Sequence, residues 1–215
     1  MAKYPRDFNR DKKLARKEKV DCIFYPKVKD IYPKDYKSYV LVEDLGNSLC
    51  GLFRPGHFRG VTTIVTKLFN ITLADTAYFG QKDAQQAIII KRMTQDLNFP
   101  IKIKVLPTIR EKDGLALSSR NKYLSAKQRK EALVLYESLK KARSLINKGE
   151  RNSNKIKQII TSIITKKKEA KLEYIDIVDT KNLKSLKKIK GEVLIALACY
   201  FGKARLIDNI IVKVR

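Results

Sequence analysis

A chain of 215 residues, 44% hydrophobic and 32% charged, can bury a core, and its length suits one large domain or one domain with a smaller companion. No run approaches the roughly eighteen apolar residues of a membrane span, and the charged start MAKYPRDFNRDKK lacks the apolar stretch of a signal peptide, so a cytoplasmic globular protein with no membrane partner is expected. The net charge of +25 is spread along the chain, and its lysine tracts, Lys166 to Lys168 and Lys184 to Lys190, fall in or beside amphipathic segments; they read as solvated faces, and no nucleic-acid partner is expected.

Taken in chain order, the apolar run Val20 to Tyr25, stopped by Pro26, predicts a strand buried on both faces, and the loosely alternating Tyr39 to Leu45 predicts a second strand. Val61, Ile64, Val65, Leu68 and Phe69 follow helical spacing after the glycine of His57-Phe58-Arg59-Gly60. A short strand, Thr76 to Phe79, leads through Gly80-Gln81-Lys82-Asp83 into a helix from Ala84 to Leu97 with Asp83 as its cap. After Phe99-Pro100 the run Ile101 to Ile109 predicts another strand and completes a β-α-β unit, whose crossover should be right-handed.

Arg110 to Asn121 has little periodicity and contains Gly114, which predicts an exposed functional loop. Ser125 with Gln128 forms a capping box for a long helix to about Asn147, and Asn152 or Ser153 opens the next. Strands Leu172 to Val178, Val193 to Tyr200 and Leu206 to Val214 follow, the last two joined by the turn Phe201-Gly202-Lys203. The fold class is therefore α/β: a partial doubly wound, Rossmann-like nucleotide-binding domain over 1–109, then a smaller α+β domain over 110–215. Cys22, Cys50 and Cys199 are far apart with no CxxC spacing and are expected to be buried thiols; the single histidine, His57, rules out a multi-histidine zinc site, and no structural metal is expected.

In an open α/β sheet ligands bind past the carboxyl ends of the strands, where Gly80 to Gln86 lie. Gly80-Gln81-Lys82-Asp83 offers backbone N–H groups, a helix N-terminus and one full positive charge, an anion site suited to nucleotide phosphate; a capped helix with a surface lysine is the plainer reading of so short a motif. Leu117-Ser118-Ser119-Arg120 sets two hydroxyls and a guanidinium within reach of a triphosphate, or is simply a polar loop. Of Gln85 and Gln86, one can point into the crevice to hold a hydroxy acid while the other faces solvent. His57, flanked by Arg54 and Arg59, either positions a carboxylate or makes a structural hydrogen bond.

Read together, Arg54-Pro55-Gly56-His57-Phe58-Arg59-Gly60-Val61, Phe79 to Gln86 (FGQKDAQQ), Arg110 to Asn121 (REKDGLALSSRN) and Arg205-Leu206-Ile207-Asp208-Asn209 resemble, in order and spacing, the pantothenate synthetase (pantoate–beta-alanine ligase) family. Tyr4-Pro5-Arg6 and Ile31-Tyr32-Pro33 also fit, so the resemblance spans essentially the whole chain. It implies a ligase of pantothenate (vitamin B5) biosynthesis, on the coenzyme A pathway, in which ATP and pantoate give a pantoyl adenylate that beta-alanine attacks, with Mg2+ accompanying ATP and a homodimer as the usual assembly. It further implies ATP contacts at Gly80, Gln81, Lys82 and Asp83, at the backbone of Ile109, and at Leu117, Ser118, Ser119 and Arg120, with pantoate held by Gln86.

The family begins with a segment leading to a His-x-Gly-His motif, whose histidines bind and activate ATP, and a Phe-Val-Asn-Pro-x-Gln-Phe segment that grips pantoate. Neither occurs in the 215 residues. The resemblance therefore implies no catalytic residue within this sequence, and a truncated or frameshifted gene, or a misplaced start, with Val20 to Tyr25 or a neighbouring strand left as an exposed sheet edge. A noncatalytic ATP-pocket remnant, or a subunit completed by a separately encoded piece, is the alternative expectation.

Overall fold

A computed structural model of the chain describes residues 7–214, so Tyr4-Pro5-Arg6 lies outside the described residues. The chain divides into two compact units, 1–38 and 39–215. In the first, helix α1 (Phe8–Lys17) starts at Asp7, whose carboxylate accepts the Arg10 N–H at 3.0 Å, and a short turn of helix, α2, covers Val28–Ile31. Val20 to Tyr25 forms no strand: the run is exposed, Cys22 with it, and among the described residues no backbone ladder pairs with it. Apolar residues alone cannot make a strand, because its N–H and C=O groups need a neighbour. Instead Val20 N–H closes the end of α1 on Ala15 O, and Tyr25 stacks on Phe8 with ring centroids 4.4 Å apart.

The second unit opens with Tyr39 to Leu45, which is also not a strand. Val40 donates its N–H to Thr63 Oγ1 at 3.0 Å and its carbonyl accepts from Thr62 Oγ1, so two hydroxyls of a helix satisfy the backbone that a ladder would otherwise have used. Short helix α3 (Cys50–Phe53) precedes α4 (His57–Thr72), which begins earlier than its apolar spacing suggests because Gly56, at φ +75°, turns the chain directly into His57. Strand β1 (Thr76–Gly80), helix α5 (Ala84–Asp96) and strand β2 (Lys102–Leu106) form the predicted β-α-β unit, with β1 and β2 parallel and Thr76 opposite Lys102. Ile90 and Met93 of α5 pack with Val65 and Phe69 of α4.

The capping box forms as expected, Ser125 Oγ accepting from Gln128 N and Gln128 Oε1 from Ser125 N, but the helix comes in two pieces, α6 (Ala126–Glu131) and α7 (Val134–Asn147). Helix α8 (Ser153–Thr165), capped by Asn152, leads to an antiparallel sheet of β3 (Ala170–Asp179), β4 (Glu192–Phe201) and β5 (Ala204–Lys213) in that order. Strand β4 reads as an unbroken apolar run because it is covered on both faces. Val193, Ile195, Leu197, Cys199 and Phe201 meet α7 and α8, while Leu194 and Ala196 meet Leu45, Phe58 and Ile89 on the other side. Ile156, Ile160 and Ile164, a stripe at helical spacing with no exposed surface, each contribute roughly 2 kcal/mol by burial. Cys199 sits in this core, and burial pushes its thiol up to about 12; Cys50 is half-buried, so of the three cysteines only Cys199 matches the expected inert, buried thiol. No helix among the described residues is long and apolar enough to cross a membrane.

Candidate active site

Strand β1 ends at Gly80 in extended backbone, residues Gln81–Asp83 make one 3-10 turn, and α5 begins at Ala84. Asp83 occupies the cap position of α5, yet its side chain makes no capping bond; the carboxylate lies instead near enough to His57 to favour that ring's protonated form. Lys82, Asp83, Gln86, His57 and Arg120 share one cavity with Arg54, Arg205, Asp208 and Asn209. It is a small cleft of about 60 Å³, partly open to solvent. Gly80, Gln81, Ile109, Leu117, Ser118 and Ser119 do not line it. A larger groove of about 780 Å³ between α5, β2 and the ends of β3 to β5 touches only Gln81 of the expected site residues.

The two glutamines separate cleanly. The glutamine expected to face solvent does not: Gln85 is 7% exposed, with its Oε1 accepting from Cys50 N at 3.0 Å and its Nε2 donating to Leu45 O at 2.9 Å and Ser48 O at 2.8 Å. It anchors the segment before α3. Gln86, half-buried, is the one that borders the cavity.

His57 is the first residue of α4, and its Nε2 accepts from Arg54 Nη1 at 3.1 Å, which puts the proton of the neutral ring on Nδ1. Burial, then the Arg54 guanidinium, with Arg205 and Arg120 behind it, holds the imidazole below its ordinary value; Asp83 opposes the shift. The cavity is thus a cluster of cations around a neutral histidine, and a bound anion would relieve their mutual repulsion. Arg205 carries its own counter-ion, Glu173, at 2.6 Å, and Tyr174 beside it has its phenol pushed up by burial.

The segment Arg110 to Asn121 is a fixed structure rather than a loose loop. Glu111 accepts from Arg129 at 2.7 Å and from Asn121 Nδ2 at 2.8 Å, contacts that keep its carboxyl below the usual range, and Leu115 and Ala116 are buried. Gly114, at φ +99°, passes so near Tyr136 that a Cβ there would lie 2.9 Å from its Cδ1. This scaffold leaves Leu117, Ser119 and Arg120 exposed, while Ser118 Oγ accepts the Arg120 N–H at 3.2 Å and starts a 3-10 turn over Ser119–Tyr123. Ile109 is exposed, and its carbonyl takes the Leu117 N–H at 2.9 Å.

Sequence reasoning gave no role to Arg205, Glu173, Asp208, Asn209 or Arg110. For Glu173, Arg205, Asp208 and Asn209 the signal was present as charged or polar residues inside strands, but the partners, Glu173 for Arg205 and Arg110 for Asp208, lie 32 and 98 residues away in the chain.

A family model described as pantoate-beta-alanine ligase matches residues 1–211. The pantothenate synthetase of Caldicellulosiruptor saccharolyticus is 54% identical over 212 residues, 99% of this chain and 75% of the relative, and that of Moorella thermoacetica is 54% identical over 214 residues, 100% of this chain and 76% of the relative. The crystal structure of pantothenate synthetase from Thermus thermophilus superposes with a TM-score of 0.92 at 40% identity, over 97% of this chain and 75% of that one. The Francisella tularensis pantoate-beta-alanine ligase, crystallised with beta-gamma ATP and beta-alanine, superposes with a TM-score of 0.73 at 35% identity, over 96% of this chain and 70% of that one. This chain spans about three quarters of the length of these relatives. With the family model matched over 1–211 and such identity across nearly all its residues, the chain belongs to the pantoate–beta-alanine ligase family.

Proposed function

We propose that these residues bind ATP and pantoate in the cytoplasm for the joining of pantoate to beta-alanine through a pantoyl adenylate. One observation carries the reading: His57, the neighbouring Lys82 and Gln86, and Arg120, from three parts of the chain, border a single cationic cavity. In this reading the phosphates meet the cleft and the base extends beyond it to Ile109, whose N–H or second carbonyl lone pair is the proposed adenine contact. Gly80, Gln81, Lys82 and Asp83 would hold the phosphates at the helix N-terminus, with Leu117, Ser118, Ser119 and Arg120 closing from the other side. Residues 1–109 then act as the nucleotide-binding part and 110–215 as the lid.

In the first step a pantoate carboxylate oxygen, oriented by Gln86, bonds to the α-phosphorus as the bond to pyrophosphate breaks; Lys82 and Arg120 offset the charge that gathers on the leaving group. Mg2+ bound with ATP would supply further neutralisation. In the second, the beta-alanine amine attacks the acyl carbon and AMP departs. His57 is the only histidine in the 215 residues, and its Nε2 already accepts from Arg54, so a step needing a histidine pair draws it from outside these residues.

The test is AMP formation from ATP, pantoate, beta-alanine and Mg2+ by the 215-residue polypeptide alone and by the same polypeptide joined to the His-x-Gly-His segment of a relative, beside direct ATP titration. Turnover only in the joined form supports the reading. Pantothenate made by the 215 residues alone overturns the need for other histidines. ATP binding that depends on Lys82, with no turnover in either form, favours a noncatalytic ATP-binding remnant, and no ATP binding at all removes the ligase reading.

A further inference from the structure

The two segments proposed to hold the triphosphate are tied to the same two residues of β5, and neither has a role in the reading above. Asp208 and Asn209 are 3% and 4% exposed and lie side by side on the strand, where successive side chains leave toward opposite faces. Asn209 reaches the Gly80–Asp83 turn. Its Nδ2 donates to Gln81 O and to Lys82 O, both at 2.9 Å, and its Oδ1 accepts from Gln81 Nε2 at 3.4 Å, so both ends of the amide are committed to that turn. The N–H and C=O of one peptide unit point in opposite directions, so drawing these two carbonyls toward β5 turns the N–H groups of Lys82 and Asp83 away from it.

Asp208 reaches the other segment. Both of its oxygens accept from Arg110, at 2.7 and 2.8 Å, and Oδ1 also accepts the backbone N–H of Asn209 at 2.8 Å, which ties the carboxylate to the strand at the base of the Asn209 side chain. Arg110 is fixed on all sides: its guanidinium lies 3.6 Å from the Tyr136 ring centroid and donates to Gly114 O at 3.1 Å. It stands at the base of the segment whose far end carries Ser118, Ser119 and Arg120.

We propose that Asp208 and Asn209 are positioning residues for the triphosphate, setting the distance and orientation of the Lys82 turn relative to the Arg120 segment. The proposal rests on the ATP reading given above. The phosphates would have to be met from two sides at once, and the two sides are separate stretches of chain, so one rigid dipeptide bonded to both removes the freedom that would otherwise be lost on binding.

A double-mutant cycle tests it. ATP and adenosine affinities are measured by calorimetry for the unaltered protein, Asn209→Ala, Lys82→Ala and the pair, with Tm recorded for each. Loss of the fork on the two carbonyls is expected to weaken ATP about tenfold while leaving adenosine within about twofold; because Lys82→Ala keeps the N–H groups of the turn, the paired variant should bind ATP worse than Lys82→Ala but lose less than the product of the two single losses. Fully multiplicative losses in the pair, no ATP loss for Asn209→Ala, or an adenosine loss equal to the ATP loss would overturn the proposal. If Lys82→Ala leaves ATP binding intact, the ATP reading itself fails, a separate outcome. Should Asn209→Ala leave no folded protein, Asp208→Asn carries the test, with ATP expected to weaken several-fold and in a manner coupled to Arg120→Ala; independent effects there would refute it.

Discussion

Replacing Gln85 by methionine, which keeps length and apolar volume but removes the amide, strips a half-buried N–H, a buried carbonyl and a half-buried carbonyl of this partner: Cys50 N at 3.0 Å, Leu45 O at 2.9 Å and Ser48 O at 2.8 Å. At roughly 0.5–1.5 kcal/mol net per bond the loss is about 2–4 kcal/mol, and for a chain of this size that lowers Tm by roughly 5–15 °C. Gln86→Ala, one residue on, should leave Tm within about 2 °C, because Gln86 borders the cavity instead of bridging backbone, and should weaken pantoate binding instead. Thermal unfolding followed by circular dichroism, with calorimetric titration of pantoate, reads both. Equal Tm losses for the two variants, or a pantoate loss confined to Gln85→Met, would refute the assignment of one glutamine to the scaffold and the other to the site.

Two glycines give a similar contrast. A Cβ at Gly80 meets nothing within 4 Å beyond its chain neighbours among the described residues, whereas at Gly114, with φ +99°, it would lie 2.9 Å from Tyr136 Cδ1; Gly80→Ala should hold its urea midpoint and lose ATP affinity, while Gly114→Ala loses roughly 2 kcal/mol of stability. His57 titrates below its ordinary value in the folded chain because burial and then Arg54 disfavour its charged form, so its contribution to stability is present above about pH 6.5 and is lost as pH falls through the folded value. Tm of the unaltered protein should therefore drop more steeply between about pH 7 and pH 5 than that of His57→Gln, and parallel curves would contradict the stated environment.

The helices from α4 onward could be read from local chemistry, whereas α1, α2 and α3 were not foreseen. Asn152 and the Ser125–Gln128 box cap their helices through bonds made within three residues, and the apolar stripe of Ile156, Ile160 and Ile164 needs only a face to cover it. The β-α-β unit was legible for the same reason, since the apolar run ending at Gly80 and the helical spacing after Asp83 are properties of adjacent residues. The family motifs likewise singled out the Gly80 to Asp83 turn and the Ser118 to Arg120 segment, each a contiguous stretch of residues.

What the sequence could not decide is whatever depends on a partner far along the chain. Val20 to Tyr25 and Tyr39 to Leu45 have strand-like residues, but a strand is made by its neighbour, and the second of these spends its backbone on Thr62 and Thr63. Gln85 and Gln86 are chemically identical and adjacent, so only the 100° that a helix turns per residue, together with the segment Leu45 to Cys50 lying against one side of α5, sends one into the scaffold and the other to the cavity. Asp208 and Asn209 read locally as polar residues in an apolar strand; their bonds to Arg110 and to the Lys82 turn span 98 and 127 residues and exist only once the antiparallel sheet is folded beside the β-α-β unit.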